Sequence, residues 1–241
     1  MAKHPSCSFI HDFQDLQSNW KFHDWAKRSQ AWIDKYGSGN PRCECIDTKP
    51  HLIDAAESCE GWISGEEGLA LFHYAQDVTS GVIVEIGSWK GKSTIYLGAG
   101  ARGERTRVFA IDPFKGSPIH QVNGPVFTLP EFLENIQNAG LLDVVTPLTL
   151  SSLEARKLCP FTVAVLFIDG DHDSPHPAED IEAWEPLVKV GGRIAFHDAY
   201  FPGVVSAIGW VKQTGLYEEG MYHANIWTAI KVGSGATVVQ A

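Results

Sequence analysis

Two groups of residues in this 241-residue chain have the types and spacing to do chemistry. The first is Gly87-Ser88-Trp89-Lys90-Gly91-Lys92-Ser93-Thr94, which follows the apolar run Val82 to Ile86. A β-branched run of that kind suits a strand buried on both faces, and glycines permit a tight turn with close approach of a ligand. A helix starting just beyond it would offer unpaired N–H groups and the positive end of its dipole to an anionic or carboxylate-bearing ligand. The second group is Asp169, Asp171, His172, His197 and Asp198, a concentration of carboxylates and imidazoles able to move protons. His172 titrates near the working pH, whereas Asp171 as a base needs an acceptor of lowered pKa.

These groups can meet only if the chain between them folds back repeatedly. From Gly81 onward, strands are expected near 82–86, 107–111, 144–149, 163–168 and 191–197, and helices near 91–100, 129–138, 151–158, 177–188 and 203–213. Such alternation implies parallel strands with right-handed crossovers, hence an open, doubly wound α/β sheet. The tail from Tyr217 to Val232 holds two extended segments and is expected to close the sheet with an antiparallel pair. Ligands of open α/β sheets bind beyond the carboxyl ends of the strands, where all five acid and imidazole residues would emerge.

Upstream, Ser64 with Glu67 three residues later reads as a capping box opening a helix over 64–76. Trp25, Ala26, Trp32 and Ile33 give Asp24 to Tyr36 an amphipathic helical pattern, stopped at Gly37 to Pro41. Residues 1–55 are therefore taken as a partly helical extension, covering the acceptor pocket or a subunit interface in a homo-oligomer, and 56–241 as the main domain. Cys43 and Cys45, with His51 and Cys59, invite a zinc reading, but Cys-x-Cys is a poor match to the usual gap, and idle or buried thiols are the better account.

Seven Lys/Arg and six Asp/Glu lie in the first 50 residues, against 12 and 23 beyond them. So acidic a body argues against a nucleic-acid binder, which needs a basic stripe, and favours a small-molecule partner. No basic-then-apolar leader and no run of eighteen apolar residues occurs, and the five cysteines are scattered and odd in number. A soluble cytoplasmic protein with reduced thiols and no membrane contact is expected.

The glycine turn has two decoys. Gly87 to Thr94 looks like a phosphate loop, with Asp169 ending Val165 to Asp169 as its metal-holding acid, yet only three residues separate Gly87 from Gly91-Lys92 where such a loop has four. A dinucleotide site needs a glycine where Trp89 stands, since the indole would keep a pyrophosphate off the backbone. Lys92 is then expected on a solvated helix face.

The pattern Glu85-Ile-Gly87-x-x-x-Gly91, followed 25 residues after Gly87 by Asp112 at the end of Val108 to Asp112, resembles the class I S-adenosylmethionine-dependent methyltransferases. An ionised carboxylate, acceptor-only, suits two ribose hydroxyls. Thr149 to Glu154, Phe167 to His172 and Pro186 to Asp198 extend the likeness over about residues 57–232, most closely to small O-methyltransferases related to macrocin O-methyltransferase and the cephalosporin-hydroxylase-like group. The resemblance implies a Rossmann-like, mostly parallel seven-stranded sheet. It also implies that Gly87, Ser88 and Ser93 line the methionine end of the cofactor, that Glu85 supports the turn, that Asp112 binds ribose and that Ser152 lies on the adenine side. Trp89, Asp169 and Gly170 complete the cofactor-binding set.

Metal-dependent relatives hold an acid after the fourth strand and an acidic or amide pair after the fifth. Carried over, the metal ligands are Asp169, His197 and Asp198, with His197 a departure from the usual acid that suits Mn²⁺, Fe²⁺ or Zn²⁺ at least as well as Mg²⁺. Without a metal, His197 and Asp198 would hydrogen-bond locally and position substrate. The expected catalytic residues are Asp171, His172 and His197. The function implied is O-methylation of a hydroxyl on a small molecule, a sugar or secondary-metabolite moiety, using S-adenosylmethionine with assistance from a divalent cation. A phosphate-loop nucleotide enzyme and a catalytically silent methyltransferase-like binding module are the alternatives.

Overall fold

A computed structural model describes residues 50–102, 106–218 and 220–234. The helix expected over Asp24 to Tyr36, and Cys43 with Cys45, lie outside the described residues. Helices α1 (Pro50–Ser58) and α2 (Gly65–Gln76) lead into β1 (Val82–Ile86), α3 (Lys92–Ala101) and β2 (Val108–Ile111). Then follow α4 (Leu129–Asn138), β3 (Val145–Leu148), α5 (Ser152–Leu158), β4 (Val163–Ile168), α6 (His176–Trp184), β5 (Val188–Phe196), α7 (Pro202–Gln213), β6 (Met221–His223) and β7 (Ile226–Ile230).

Seven strands form one sheet in the order β3-β2-β1-β4-β5-β7-β6. The pairs among β1 to β5 are parallel, while β7 runs antiparallel to β5 and to β6. Successive strand residues point to opposite faces. Ile83 therefore joins one buried layer with Leu71, Ile95 and Phe132 of α2, α3 and α4, and Val84 joins the other with Ile181, Trp184 and Ile208 of α6 and α7. Both faces are covered, which is why β1 and β4 read as near-continuous apolar runs.

The register sets up the site. Ile86 pairs with Ile111 and with Ile168, and Ile168 pairs with Phe196. The next residues, Gly87, Asp112, Asp169 and His197, therefore leave four adjacent strands at one level of the carboxyl edge.

The largest departure from the sequence expectation lies between the helix after β4 and β5. The sixth helix stops at Trp184, not 188, and Glu185–Leu187 forms a 3₁₀ turn. Pro186 has no N–H to continue the ladder, so the chain turns early and β5 starts at Val188, ahead of the double glycine.

Candidate active site

The turn after β1 is held from below and from the side. Glu85 is fully buried, and its Oε2 accepts the hydroxyls of Ser88 at 2.8 Å and Thr94 at 2.5 Å, with Ser93 also directed at this carboxyl. Burial lifts the Glu85 pKa to about 7 against the pull of the three hydroxyls. Glu85 thus supports the turn from beneath. Gly87 has φ +87°, and a Cβ there would stand 2.1 Å from the Asp169 carbonyl oxygen. Only glycine lets β1 and β4 end this close together.

Asp112 closes the turn from the neighbouring strand. Its Oδ2 accepts the backbone N–H groups of Ser88 at 3.0 Å and Trp89 at 2.8 Å, and its Oδ1 accepts that of Phe114. Burial raises its pKa despite these three amides. Of about four lone-pair sites on the carboxylate, three are used, so capacity for a further donor remains on Oδ1. Trp89, at φ +47°, sets its ring 4.6 Å from His120 and 5.8 Å from Trp62, an indole that is 65% exposed.

Three further expectations concern this end of the sheet. Ser151 caps α5, and the hydroxyl of Ser152, expected on the adenine side, accepts the indole N–H of Trp184 at 2.9 Å. Gly170 lies against Ile86 and Asp180. Lys92 is not on a solvated face. Its side chain is only 13% exposed and its Nζ lies 3.6 Å from Glu57 of α1, so it is turned away from the role of a phosphate-loop lysine.

Beyond β4 and β5 the acids and imidazoles converge. One ligand atom each from Asp169, His172 and Asp198 lies within 4.8 Å of the others, in the geometry of a metal-holding group. His172 Nε2 is 3.0 Å from Asp198 Oδ2 and 3.8 Å from Asp169 Oδ1, and its ring packs 5.0 Å from Phe201. The Asp169 carboxylate, joined by that of Asp198 and outweighing burial, raises the His172 pKa. Asp171 instead faces outward, where its Oδ1 accepts the Asp173 N–H at 3.0 Å in a local turn. The chain at His172 is pinned by α7: a Cβ on Gly203 would stand 2.3 Å from the His172 carbonyl oxygen.

His197 lies deeper, at 3% exposure. Its Nδ1 is 3.1 Å from Asp169 Oδ1 and 3.5 Å from Asp198 Oδ2, and its Nε2 is 3.6 Å from Glu67 Oε1. Burial opposes the charged ring, but the Asp169, Asp198 and Glu67 carboxylates outweigh it and carry the pKa far above the ordinary imidazole range. Both ring nitrogens face carboxylates, and the three residues whose ligand atoms lie within 4.8 Å of one another are Asp169, His172 and Asp198. Asp198, at φ +48°, also accepts the Asn225 side-chain amide, and His197, His172 and Asn225 hold its pKa down against burial.

Glu67, Asn225 and Phe201 did not stand out in the sequence as site residues. Glu67 carried a signal, its place in the capping box; Asn225, in the tight β6–β7 turn, carried none.

Residues 84–199 match a family model described as a methyltransferase domain. Among solved structures, the chain is similar to the O-methyltransferase NovP, with 18% identity over 70% of this chain and 80% of that one and a TM-score of 0.61. It is also similar to the O-methyltransferase TomG of Streptomyces achromogenes, with 16% identity, 76% and 90% coverage and a TM-score of 0.57. An O-methyltransferase from Bacillus cereus gives 18% identity, 87% and 100% coverage and a TM-score of 0.56. No helix among the described residues is long and apolar enough to cross a membrane. The matched stretch runs from within β1 to just past β5, takes in the glycine turn, Asp112 and the Asp169-to-Asp198 cluster, and is similar to a methyltransferase domain, while the solved structures share the fold of the seven-stranded sheet.

Proposed function

We propose that the protein transfers a methyl group from S-adenosylmethionine to a hydroxyl of a small molecule. The observation that carries this reading is the alignment at the carboxyl edge: the Gly87 turn and Asp112 sit beside the Asp169, His172 and Asp198 group, so a donor site and a proton-handling site adjoin. NovP, TomG and the Bacillus cereus protein are named as O-methyltransferases, TomG in complex with S-adenosylmethionine and the Bacillus protein with its demethylated product.

The residues present fit the donor. Ser88 and Trp89 are held by Asp112, whose Oδ1 keeps room for a ribose hydroxyl, and the first turn of α3 begins at Gly91 without a side-chain cap. S-adenosylmethionine supplies a methyl group on a sulfonium that needs no further activation. The protein's task is then to align the acceptor and receive its proton.

Asp169, His172 and Asp198 also fit a divalent cation, with two carboxylates and one imidazole suited to Mn²⁺, Fe²⁺, Zn²⁺ or Mg²⁺. Such an ion would lower the pKa of the acceptor hydroxyl and orient it. Where no ion is required, His172, braced by two carboxylates and by Phe201, is the base. Asp171 is a rim residue in this reading, and His197 positions Asp169 and Asp198.

The test is an acceptor screen with methyl-labelled S-adenosylmethionine, read by mass spectrometry. Label on an acceptor oxygen supports the reading. Label on nitrogen or carbon, or cofactor binding with no transfer to any class of hydroxyl, overturns it; the last result points to a binding module.

A further inference from the structure

We propose that Glu67, far upstream in sequence, is a positioning residue of this site: its carboxylate braces His197 from behind, so that His197 holds Asp169 and Asp198 in place and is not itself a ligand. The inference rests on the reading of Asp169, His172 and Asp198 as the working group, and adds to it a residue that reaches none of the reacting atoms.

Glu67 is 3% exposed. One oxygen, Oε2, accepts both the backbone N–H and the hydroxyl of Ser64 at 2.8 Å, completing the capping box of α2. A cap needs no more than that. The other oxygen, Oε1, accepts the N–H of Asn225 at 2.9 Å and faces His197 Nε2 at 3.6 Å. The Asn225 side chain in turn donates to Asp198 Oδ1, and the Asn225 carbonyl accepts the Ala199 N–H at 3.1 Å. One buried carboxylate therefore ties the start of α2 to the β6–β7 turn and to the end of β5, and each tie ends on Asp198 or on the imidazole that touches Asp169.

Electrostatics explain the arrangement. An imidazole between Asp169 and Asp198 on one side needs a counter-group on the other, or Nε2 is buried facing nothing that can accept from it. Glu67 Oε1 is the carboxylate oxygen that faces it, at 3.6 Å, within ion-pair reach though longer than a hydrogen bond. With both ring nitrogens facing carboxylates, His197 cannot turn towards an ion or acceptor without abandoning Glu67. Partners that touch a ligand directly, as His197 does Asp169 and Asp198, orient it and tune metal affinity by about 10- to 100-fold, and Glu67 acts through that partner.

The capping box supplies the control. Glu67→Gln removes the charge facing His197 and leaves one amide oxygen for the N–H groups of Ser64 and Asn225, so it weakens the cap as well. Ser64→Ala breaks the cap and leaves that charge. Calorimetric titration of the 241-residue protein with Mn²⁺ is expected to show about tenfold or greater weakening in Glu67→Gln, a loss of affinity that Ser64→Ala does not share. Ser64→Ala is expected to lower the midpoint with Mn²⁺ affinity kept. Unchanged affinity in Glu67→Gln, or equal loss in Ser64→Ala, would overturn the proposal.

If the wild type binds no Mn²⁺, it is the cation reading of the site that fails. A metal-free double-mutant cycle of Glu67→Gln and His197→Gln then decides the positioning role. Midpoint shifts that do not add are expected, because the residues interact; additive shifts would show that they do not.

Discussion

Asp112 Oδ2 accepts the N–H of Trp89 at 2.8 Å, so the acid that ends β2 is a structural part of the turn that follows β1. Asp112→Asn leaves one acceptor oxygen for N–H groups that now occupy two, and turns an amide N–H₂ towards one of them. An unsatisfied, largely buried N–H costs about 1–3 kcal/mol. Denaturant unfolding of Asp112→Asn is expected to show a loss in that range, even without cofactor; stability equal to wild type would mean the turn does not depend on this carboxylate.

Gly87→Ala should be far more damaging than a surface substitution. The backbone is at φ +87° and the new Cβ would meet the Asp169 carbonyl oxygen, so β1 and β4 must part. A loss of roughly 2–4 kcal/mol is expected in denaturant melts, the range of backbone strain combined with overpacking. Its effect should also reach Asp169, which leaves β4 at the point of contact.

Glu85 makes stability fall with rising pH. Its folded pKa, about 7, lies above the unfolded value of 4.5. Between those values the folded state binds the proton that the unfolded chain has released, so the slope of unfolding free energy with pH is negative. This contribution is fully present below pH 4.5 and is lost as pH rises through about 7. Glu85→Gln should abolish that component, so its stability relative to wild type should improve from pH 5 to pH 8. A pH-independent difference between the two proteins would contradict the buried, protonatable carboxyl.

His172 and Asp171 should separate in kinetics with an identified acceptor. His172→Asn is expected to lower kcat by about 10²- to 10⁴-fold, the range for a lost acid–base group, with Asp171→Asn near wild type. Chelation should distinguish the two roles of His172. Turnover lost on removal of divalent ions and restored by Mn²⁺ makes it a ligand; full activity in verified metal-free protein makes it the base.

Most of the fold was legible because it is written in local patterns. The apolar runs at 82–86 and 163–168 and the amphipathic 129–138 agree with β1, β4 and α4 residue for residue. The boundary at Pro186 was misplaced because apolar Leu187 and Val188 continue the helical spacing, although the proline forbids the helix. The site was legible as a set of strand-end residues and illegible as a network. Glu67 announces itself as a capping residue, but nothing local reveals that its second oxygen meets Asn225, 158 positions away, and His197. Likewise, Asp171 and His172 are neighbours of similar promise in sequence; only the packing of α7 against the loop sends His172 inward and leaves Asp171 at the rim.

The most direct measurement is calorimetric titration of the wild type and of Asp112→Ala with S-adenosylmethionine and S-adenosylhomocysteine. Wild-type protein should bind both, and Asp112→Ala should bind them about tenfold more weakly or worse, having lost charge-assisted hydrogen bonds to the turn and ribose. No binding by the wild type, or undiminished binding by the variant, would contradict a methyl-donor site on the Gly87 turn.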